Sequence, residues 1–354
     1  MVAFRQTAQY SHDMCHTTES LRSIDYHTAG EPFRIVVDGF PDIMGATVAE
    51  RRVFAQNSPD LETIRRLLCR EPRGHADMYG GFVVPPDDDG ADFGVLFWHN
   101  DGYSTACGHG TIALGAWAVS SGLVAAEPDA VTPVTIDVPS GRVVAHVRTV
   151  GGSIDSVVFE NVASYRVAES VEVATSRGPV AAGLTFGGAL YASVDVRQLG
   201  LSVTLEHYAT LLELGREIKW TLNDSPLAQH PLDDRLSGVY GTILFEDFGD
   251  GPDGPHQRNM TVFADGRVDR SPCGSGTAAR VAELSADGRL RPGQVLTHDS
   301  IVDSRFLGRV RSAATDVPGG VGVIAEVEGM AYRTGEHSFS LDPADPIGEG
   351  FVLR

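Results

Sequence analysis

Two cysteines in this chain occupy nearly identical motifs, and a thiol can both accept and donate a proton. Residues 107–113 read Cys-Gly-His-Gly-Thr-Ile-Ala, and residues 273–279 read Cys-Gly-Ser-Gly-Thr-Ala-Ala. In each motif two glycines flank one polar residue and a helix-like run follows, so we predict a turn that leads into a helix N-terminus. The free N–H groups and the positive end of the dipole there favour negative charge. This setting predicts a lowered thiol pKa, and the same N–H groups could hold a carboxylate.

The spacing of the two motifs is matched by a second pair of residues. Tyr165 and Tyr332, each followed by an arginine, end similar strand-like runs. Their separation agrees with that of Cys107 and Cys273 to within one residue. We interpret this pattern as a duplicated α/β unit. Two such halves facing each other would bring two helix N-termini, each with a thiol, toward one cleft.

Two thiols across a cleft could act as a base and an acid on opposite faces of one carbon. Such a pair inverts a stereocentre without a cofactor, provided that one group is a thiolate while the other is a thiol. His109 lies two residues after Cys107 and Asp269 four residues before Cys273, so both could tune the thiols. The alternative is that the cysteines are small core residues in glycine-rich turns. The repeat at matched spacing favours the chemical role.

The rest of the chain supplies the elements that must position these motifs. We predict a loose polar tail over residues 1–20, a first α/β half over residues 21–178, and a second over residues 179–341. The last residues, 342–354, are predicted to cross back to the first half. Helical patterns and caps predict helices over 60–70, 111–121, 205–220 and 277–286. Apolar runs between turn residues predict strands within 24–38, 78–85, 94–99, 134–138, 143–147, 157–167, 184–196, 238–246, 259–264, 295–310 and 321–339.

The composition excludes several classes of partner. The 354 residues are 42% hydrophobic and carry a formal net charge of −19. The chain is long enough for two cores, and its charge argues against a nucleic-acid or an anionic-membrane partner. No apolar run approaches the roughly 20 residues of a membrane span. Residues 1–20 lack the apolar segment of a signal peptide, so we expect a cytoplasmic protein.

Neither a metal nor an organic cofactor is predicted. Four cysteines do not make a disulfide framework, and no C-x-x-C pair is present. Cys69 lies in an amphipathic helical pattern and is predicted to be a buried core thiol. Lys219 is the sole lysine, and its position after Arg216 and Glu217 predicts an exposed side chain. A pyridoxal-phosphate enzyme would need a lysine for its Schiff base, and a solvated lysine does not suit that role.

Several stretches together resemble the proline racemase family, which includes hydroxyproline epimerases and trans-3-hydroxyproline dehydratases. The resemblance covers nearly everything from Ile24 to Arg354. Its most specific stretches are HTAGE (27–31), EPRGH (71–75), CGHG (107–110) and DRSPCG (269–274), and DPADP (342–346) and GF (350–351) match the family's closing pattern. The resemblance implies an α/β (α+β) fold like that of diaminopimelate epimerase. Two pseudo-symmetric domains, each a mixed sheet wrapped around a central helix, would have the active site in the cleft between them.

The resemblance also implies a role for each matching residue. Cys107 and Cys273 would be the base and the acid of a cofactor-independent mechanism, exchanging roles with the handedness of the substrate. The implied substrate-binding residues are His109 and Asp269 on the nitrogen side, Gly108, Gly274 and Ser275 at the carboxylate, and Phe263 and Tyr79 around the ring. The resemblance further implies a homodimer that acts on a small molecule, proline or a hydroxyproline.

Two residues depart from the family pattern. Ala106 stands where members commonly have methionine, which leaves more room, and Tyr79 stands where proline-specific members commonly have phenylalanine. The Tyr79 hydroxyl could bond a ring hydroxyl of the substrate or be satisfied elsewhere in the core, and both interpretations stay open. The family's dehydratases usually carry threonine in place of the second cysteine. Cys273 therefore predicts racemisation or epimerisation.

Three other functions remain as alternatives. Dehydration of trans-3-hydroxy-L-proline stays open because the stretches that flank Cys273 also resemble those dehydratases. A diaminopimelate-epimerase-type isomerase is disfavoured by His109, where that family typically has asparagine. A non-catalytic binding protein on the same scaffold is disfavoured by the presence of both thiols.

Overall fold

The protein has a mixed α/β fold with a large mixed sheet and few helices. The structure, a computed structural model, describes residues 20–353, so the predicted tail lies outside the described residues except for Ser20. The α-helices within this range are α1 (Val48–Gln56), α2 (Pro59–Cys69), α3 (Gly108–Ser120), α4 (Tyr208–Asn223) and α5 (Gly274–Ala286). The strands are β1 (Leu21–Thr28), β2 (Glu31–Asp38), β3 (Tyr79–Val84), β4 (Phe93–His99), β5 (Gly102–Tyr103), β6 (Ala130–Val138), β7 (Gly141–Val150), β8 (Ser153–Thr175), β9 (Gly178–Phe186), β10 (Leu190–Asp195), β11 (Val239–Asp250), β12 (Pro255–Phe263), β13 (Arg267–Asp269), β14 (Leu296–Ser300), β15 (Arg305–Ala314), β16 (Gly322–Gly329) and β17 (Ala331–Phe339).

The predicted helices are confirmed, and one further helix, α1, was not predicted. The sequence nevertheless carries a signal for it. Thr47 accepts a hydrogen bond from the Glu50 amide, and the Glu50 carboxylate accepts one from the Ala46 amide. This arrangement resembles the capping box in which a hydroxyl residue is followed three positions later by glutamate. No helix within residues 20–353 combines the length and the apolarity that crossing a bilayer requires.

The two helices that follow the cysteine motifs lie at the centre of the fold. Residues 108–118 of α3 are all buried, because the helix is apolar on every side. Helix α3 packs mainly on β7 and β8, and α5 packs mainly on β8 and β16. Residues of both helices, including Ile112 of α3 and Val281 of α5, belong to one continuous apolar core. Central helices wrapped by a mixed sheet confirm the expected fold class.

Long strands connect the regions around the two helices. Strand β8 has 23 residues; its first part pairs with β7 and β16, and its second part pairs with β9. Parallel pairs such as β2–β3, β4–β6 and β10–β11 alternate with antiparallel ones, so the sheet is mixed. The division of the chain into halves at residues 178 and 341 stays a prediction.

The C-terminal part of the chain lies against the N-terminal part. Strand β17 pairs antiparallel with β1, from Leu21 opposite Phe339 to Thr28 opposite Ala331. Beyond β17, Phe351 forms an isolated bridge with Glu71. Strand β1 therefore has β17 as a second neighbour in addition to β2. The predicted crossing of residues 342–354 back to a first half stays a prediction, as does the division into halves.

Candidate active site

The N-termini of α3 and α5 meet at two glycines. A Cβ atom added to Gly108 would lie 2.6 Å from the backbone of Gly274, and a Cβ on Gly274 would lie 2.6 Å from the backbone of Gly108. Real Cβ atoms do not approach this closely, so both positions require glycine. Cys107 and Cys273 are the N-cap residues of these helices. The close approach therefore brings the two predicted thiols to the same place.

Cys107 caps its helix with its own side chain. The thiol accepts a hydrogen bond from the Gly110 amide at 3.3 Å, and it lies 3.5 Å from Nδ1 and 3.6 Å from Nε2 of His109. The residue is 5% exposed. Burial raises the pKa of the Cys107 thiol well above its usual range; the Gly110 amide opposes this, and the charges of Asp269 and Cys273 add to it.

Cys273 has a different backbone conformation, although the two motifs look alike in sequence. Its φ is +64°, in the left-handed region, whereas that of Cys107 is −155°. Such a conformation costs a non-glycine residue about 1–3 kcal/mol, and such residues cluster at functional sites. The Cys273 amide donates to Ser271 Oγ at 3.1 Å, and the thiol lies 3.6 Å from the Tyr191 hydroxyl. Both cysteines therefore lie at the N-cap of a helix, as expected from the repeated motif, but the backbone conformations of the two turns differ.

The prediction of lowered thiol pKa values is wrong for this conformation. Burial raises the pKa of the Cys273 thiol as well, with Asp269 adding to the effect. A thiolate that is removed from water loses its solvation free energy. Here that loss exceeds the stabilisation that the N–H groups of the helix N-terminus give to the thiolate. Both groups are therefore favoured as neutral thiols.

His109 and Asp269 lie next to each other beside the thiols. Nδ1 of His109 is 3.7 Å from Oδ2 of Asp269, and the opposite oxygen of Asp269 accepts hydrogen bonds from the amide and the hydroxyl of Ser271 at 2.8 and 2.7 Å. Burial raises the pKa of Asp269 to about 6, against the lowering effect of Ser271. Burial lowers the pKa of His109 to about 3, so its imidazole is neutral near pH 7. Asp269 is thus a carboxylate held in place on one oxygen, with the other directed toward His109.

Aromatic side chains form one wall of the site. The Tyr79 ring lies 5.0 Å from the His109 ring, edge to face, and 5.7 Å from the Phe263 ring, measured between centroids. The Tyr79 hydroxyl hydrogen-bonds the Ser104 hydroxyl and lies 3.0 Å from the Tyr240 hydroxyl. The sequence left open whether this hydroxyl bonds the substrate or other protein groups. In the structure its hydrogen-bond partners are protein groups. Ser104 and Tyr240 were not predicted as site residues.

Two further buried groups adjoin the site. Ser275, predicted to bind through its backbone, has its hydroxyl 2.7 Å from that of Tyr191. Glu31 is fully buried; one of its oxygens accepts from the Arg270 amide at 2.7 Å and the other has no hydrogen-bond partner. Burial raises the pKa of Glu31 well above its usual value, and the charge of Asp269 adds to this. The HTAGE stretch marked Glu31 in the sequence, but no role was predicted for it.

The prediction of an exposed Lys219 is wrong, whereas Cys69 is buried as predicted. Lys219 is only 6% exposed, and its ammonium lies 3.8 Å from the centroid of the Trp220 ring. The buried residues of α4 recur with helical spacing: Leu211, Leu214, Gly215, Ile218, Lys219 and Leu222. Lys219 lies on that apolar stripe. The prediction was based on the polar neighbours Arg216 and Glu217. It failed because residues close in sequence on a helix face different directions.

The metal-ligating side chains of residues 20–353 do not gather into a group of three or more with the geometry of a metal site. The polar groups of the candidate site include two thiols, an imidazole and two carboxyl groups, besides the hydroxyls already described. These groups can move protons, accept a hydrogen bond from an ammonium group and, at the helix N-termini, donate to a carboxylate.

Comparison with known proteins agrees with the resemblance noted from the motifs. A family model described as proline racemase matches residues 23–352. The chain is 40% identical to a trans-3-hydroxy-L-proline dehydratase of Bacillus thuringiensis, over 94% of this chain and 97% of the relative. It is 42% identical to a 3-hydroxyproline 2-epimerase of Burkholderia multivorans, over 95% of this chain and 99% of the relative.

Comparison with solved structures also finds proteins of this kind. A crystal structure of a hydroxyproline epimerase from Agrobacterium vitis, with bound trans-4-hydroxy-L-proline, superposes with a TM-score of 0.87 at 32% identity, covering 95% of this chain and 96% of that one. A phenazine biosynthesis protein of the PhzF family from Bacillus anthracis superposes with a TM-score of 0.54 at 12% identity, which indicates a shared fold alone.

Proposed function

The chain belongs to the proline racemase family, and within that family we propose that it inverts the configuration at Cα of proline or a hydroxyproline. Cys107 and Cys273 are the acid and base of this proposal. The observation that carries it is the approach of two helix N-termini within one buried site, each with a cysteine at its N-cap position. A reaction of this kind needs two proton carriers on opposite faces of one carbon.

In the proposed reaction one thiolate removes the Cα proton, and the thiol on the other face donates a proton to the carbanion. The second thiol becomes a thiolate, so the enzyme ends in the opposite protonation state and can run the reverse reaction. The two sulfurs titrate as a unit, because the charge of one disfavours ionisation of the other.

The neighbouring groups bind the substrate in this proposal. Backbone N–H groups of the first helical turns, including those of Gly108, Gly274 and Ser275, receive the carboxylate, as anions do at helix N-termini. Asp269 accepts a hydrogen bond from the ring ammonium, with His109 beside it. Tyr79 and Phe263 pack on the ring. No step of this scheme requires a metal or an organic cofactor.

Dehydration of trans-3-hydroxy-L-proline is the second candidate. It is favoured by the relatives named as dehydratases, which are 40–42% identical to this chain. That reaction also begins with loss of the Cα proton. The electron pair then forms a double bond to the neighbouring ring carbon, and the 3-hydroxyl leaves as water after it receives a proton. Which reaction occurs depends on whether an acid on the opposite face reprotonates Cα first, and Cys273 provides such an acid.

The deciding experiment is a substrate panel in D2O with the wild-type enzyme. Proline, 4-hydroxyproline and 3-hydroxyproline isomers are followed by polarimetry and NMR. We expect an inverted product with deuterium at Cα. Conversion of trans-3-hydroxy-L-proline to an unsaturated ring, with the other substrates unchanged, would assign the dehydratase activity instead.

Substitution of each cysteine tests the two-thiol assignment. Cys107→Ser and Cys273→Ser should each abolish net inversion, because a serine hydroxyl is too weak an acid to replace a thiol near neutral pH. The rate is measured by polarimetry, with Cys69→Ser as a control that removes a buried thiol at another position. Near wild-type turnover in either active-site variant would refute the assignment.

A further inference from the structure

A cavity of about 290 Å³ lies beside the aromatic wall of the candidate active site. We call it the Lys219 cavity and define it by six of its lining residues: Arg52, Asp101, Ser104, Lys219, Tyr240 and Asp265. Its volume is near the lower end of the range for small-molecule sites, roughly 300–1,000 Å³. None of the predicted site residues lines it, so it is a separate space.

The ammonium of Lys219 is the unusual group of this cavity. The side chain is more than nine-tenths buried, yet within residues 20–353 its ammonium has neither a hydrogen-bond nor an ion-pair partner, and it lies over the face of the Trp220 ring. A buried ammonium costs several kcal/mol unless it is paired, and a contact with an aromatic face offsets about 2 kcal/mol. Burial accordingly lowers the pKa of Lys219, with Asp265 and Asp101 opposing.

The other charged groups of the cavity already have partners. Arg52 donates to the Tyr103 carbonyl at 2.8 and 3.0 Å. Asp101 pairs with Arg267 at 3.0 Å, and Asp265 pairs with Arg216 at 2.5 Å. Lys219 is therefore a cation that lines the cavity, has no paired anion among the described residues, and is still able to bind an anionic group.

A single layer of side chains separates the Lys219 cavity from the candidate active site. Ser104 and Tyr240 line the cavity, and both hydrogen-bond the Tyr79 hydroxyl on their other side. The Tyr240 ring also stacks on Phe263, with centroids 5.8 Å apart and planes 15° apart. A molecule that passed from one space to the other at this point would have to displace this layer.

We propose that the Lys219 cavity is an outer subsite in which Lys219 binds the carboxylate of the incoming amino acid before the substrate passes the Tyr79–Tyr240 layer. The proposal rests on the proposed function. A zwitterion fits this site, because its carboxylate meets Lys219 while its ammonium faces Asp101 and Asp265.

The composition of the chain provides a direct measurement of binding. Lys219 is the sole lysine, so protein grown with [13Cε]lysine and without a lysine in its affinity tag gives one lysine signal in NMR. The signal is followed in the Cys107→Ser variant, which prevents turnover, during titration with L-proline, D-proline and trans-4-hydroxy-L-proline. We expect each to shift the signal, whereas pyrrolidine, the same ring without a carboxylate, should leave it in place. A signal that no amino acid moves would overturn the proposal.

Kinetics then test whether the subsite lies on the path of the substrate. Lys219→Met keeps the chain length but removes the charge, and it should raise KM about tenfold while kcat stays within about twofold. Lys219→Arg keeps the charge and should retain most of the affinity. Arg291→Met, which removes an exposed cation outside the cavity, is the matched control and should change neither constant. An unchanged KM in Lys219→Met would refute the role on the path even if the NMR signal moves.

The two experiments keep this inference separate from the proposed function. If the wild-type enzyme inverts no proline derivative, the proposed function fails, and the NMR titration still reports whether the cavity binds a carboxylate. If inversion occurs but the lysine signal and KM are insensitive, the outer subsite alone is refuted.

Discussion

Asp269 is the site residue whose charge responds most directly to physiological pH. Its pKa is raised to about 6 by burial, above the value of 3.8 for an unperturbed aspartate. A carboxyl group with a raised folded-state pKa contributes full stability below its unfolded pKa and loses it as pH rises through its folded pKa. The folded protein therefore carries an unfavourable charge here above about pH 6.

Asp269→Asn should accordingly stabilise the fold at high pH. Asparagine keeps an oxygen for the hydrogen bonds from Ser271 but stays neutral. We expect little change in the free energy of unfolding near pH 4 and a gain of roughly 1–3 kcal/mol near pH 8, measured by denaturant titration. Asp265→Asn is the control with the opposite sign, because Arg216 lowers the pKa of Asp265. A gain for Asp269→Asn that is equal at both pH values would contradict the burial argument.

Cys273→Thr separates the two candidate reactions at the level of one side chain. Threonine cannot reprotonate Cα as a thiol can, because its hydroxyl is a far weaker acid. We expect loss of inversion, with Cα deuteration by Cys107 retained, and slow dehydration of trans-3-hydroxy-L-proline. NMR of the products in D2O measures all three. Retained inversion would mean that another group provides the second proton.

The residue chemistry was only partly predictable from the sequence. The repeated motifs predicted that Cys107 and Cys273 share one site, because the repeat implied two facing helices. His109 and Asp269 were predicted from their closeness in sequence to the cysteines and from the family resemblance. The raised thiol pKa values were not predictable, since they depend on how completely the folded chain excludes water from the thiols. Tyr240 and Ser104 were missed for a related reason: only tertiary packing brings them to Tyr79.

At the scale of elements, the site depends on how closely α3 and α5 approach. Gly108→Ala places a methyl group 2.6 Å from the Gly274 backbone, so the helix N-termini must separate. We expect kcat to fall at least tenfold, because a displacement of about 1 Å can cost 10²-fold in rate, with a lower melting temperature. Gly251→Ala is the control, since a Cβ there has no neighbour closer than 3.6 Å. Wild-type kcat in Gly108→Ala would contradict the need for close approach.

The elements themselves were largely predictable, with informative exceptions. Helical patterns predicted α2 and α4, whereas α3 and α5 were predicted from the cysteine turns that precede them. The shorter α1 was not predicted, although its capping residues are visible in the sequence. Lys219 shows the limit of judging exposure from sequence neighbours, because the stripe of α4 that packs inward includes it. The pairing of β17 with β1 joins residues that are far apart in sequence, and no local pattern indicates it.

At the scale of the whole molecule, the two cysteines are enclosed between regions that are distant in sequence. Cys107 and Cys273 are each 5% exposed, and the rings of Tyr79 and Phe263 are 2% exposed. In the proposed mechanism a substrate can reach the thiols only after groups that enclose them move, and displacement of the Tyr79–Tyr240 layer is one such movement. The proposal therefore predicts that substrate access requires a conformational change, as in enzymes whose closure excludes water from the reaction.

Alkylation of the thiols measures this opening. Iodoacetamide reacts with thiolates, and both thiols of the candidate site are buried with raised pKa values, so labelling of Cys107 and Cys273 should be slow near pH 7 and accelerate as pH rises. Pyrrole-2-carboxylate, whose planar ring resembles a flattened Cα, should hold the site closed and protect both thiols. Peptide mass spectrometry follows each cysteine separately, and Cys69, buried in another part of the core, should show no protection. Rapid labelling at neutral pH that the ligand does not change would mean that the thiols are open to solvent, and the requirement for opening would be wrong.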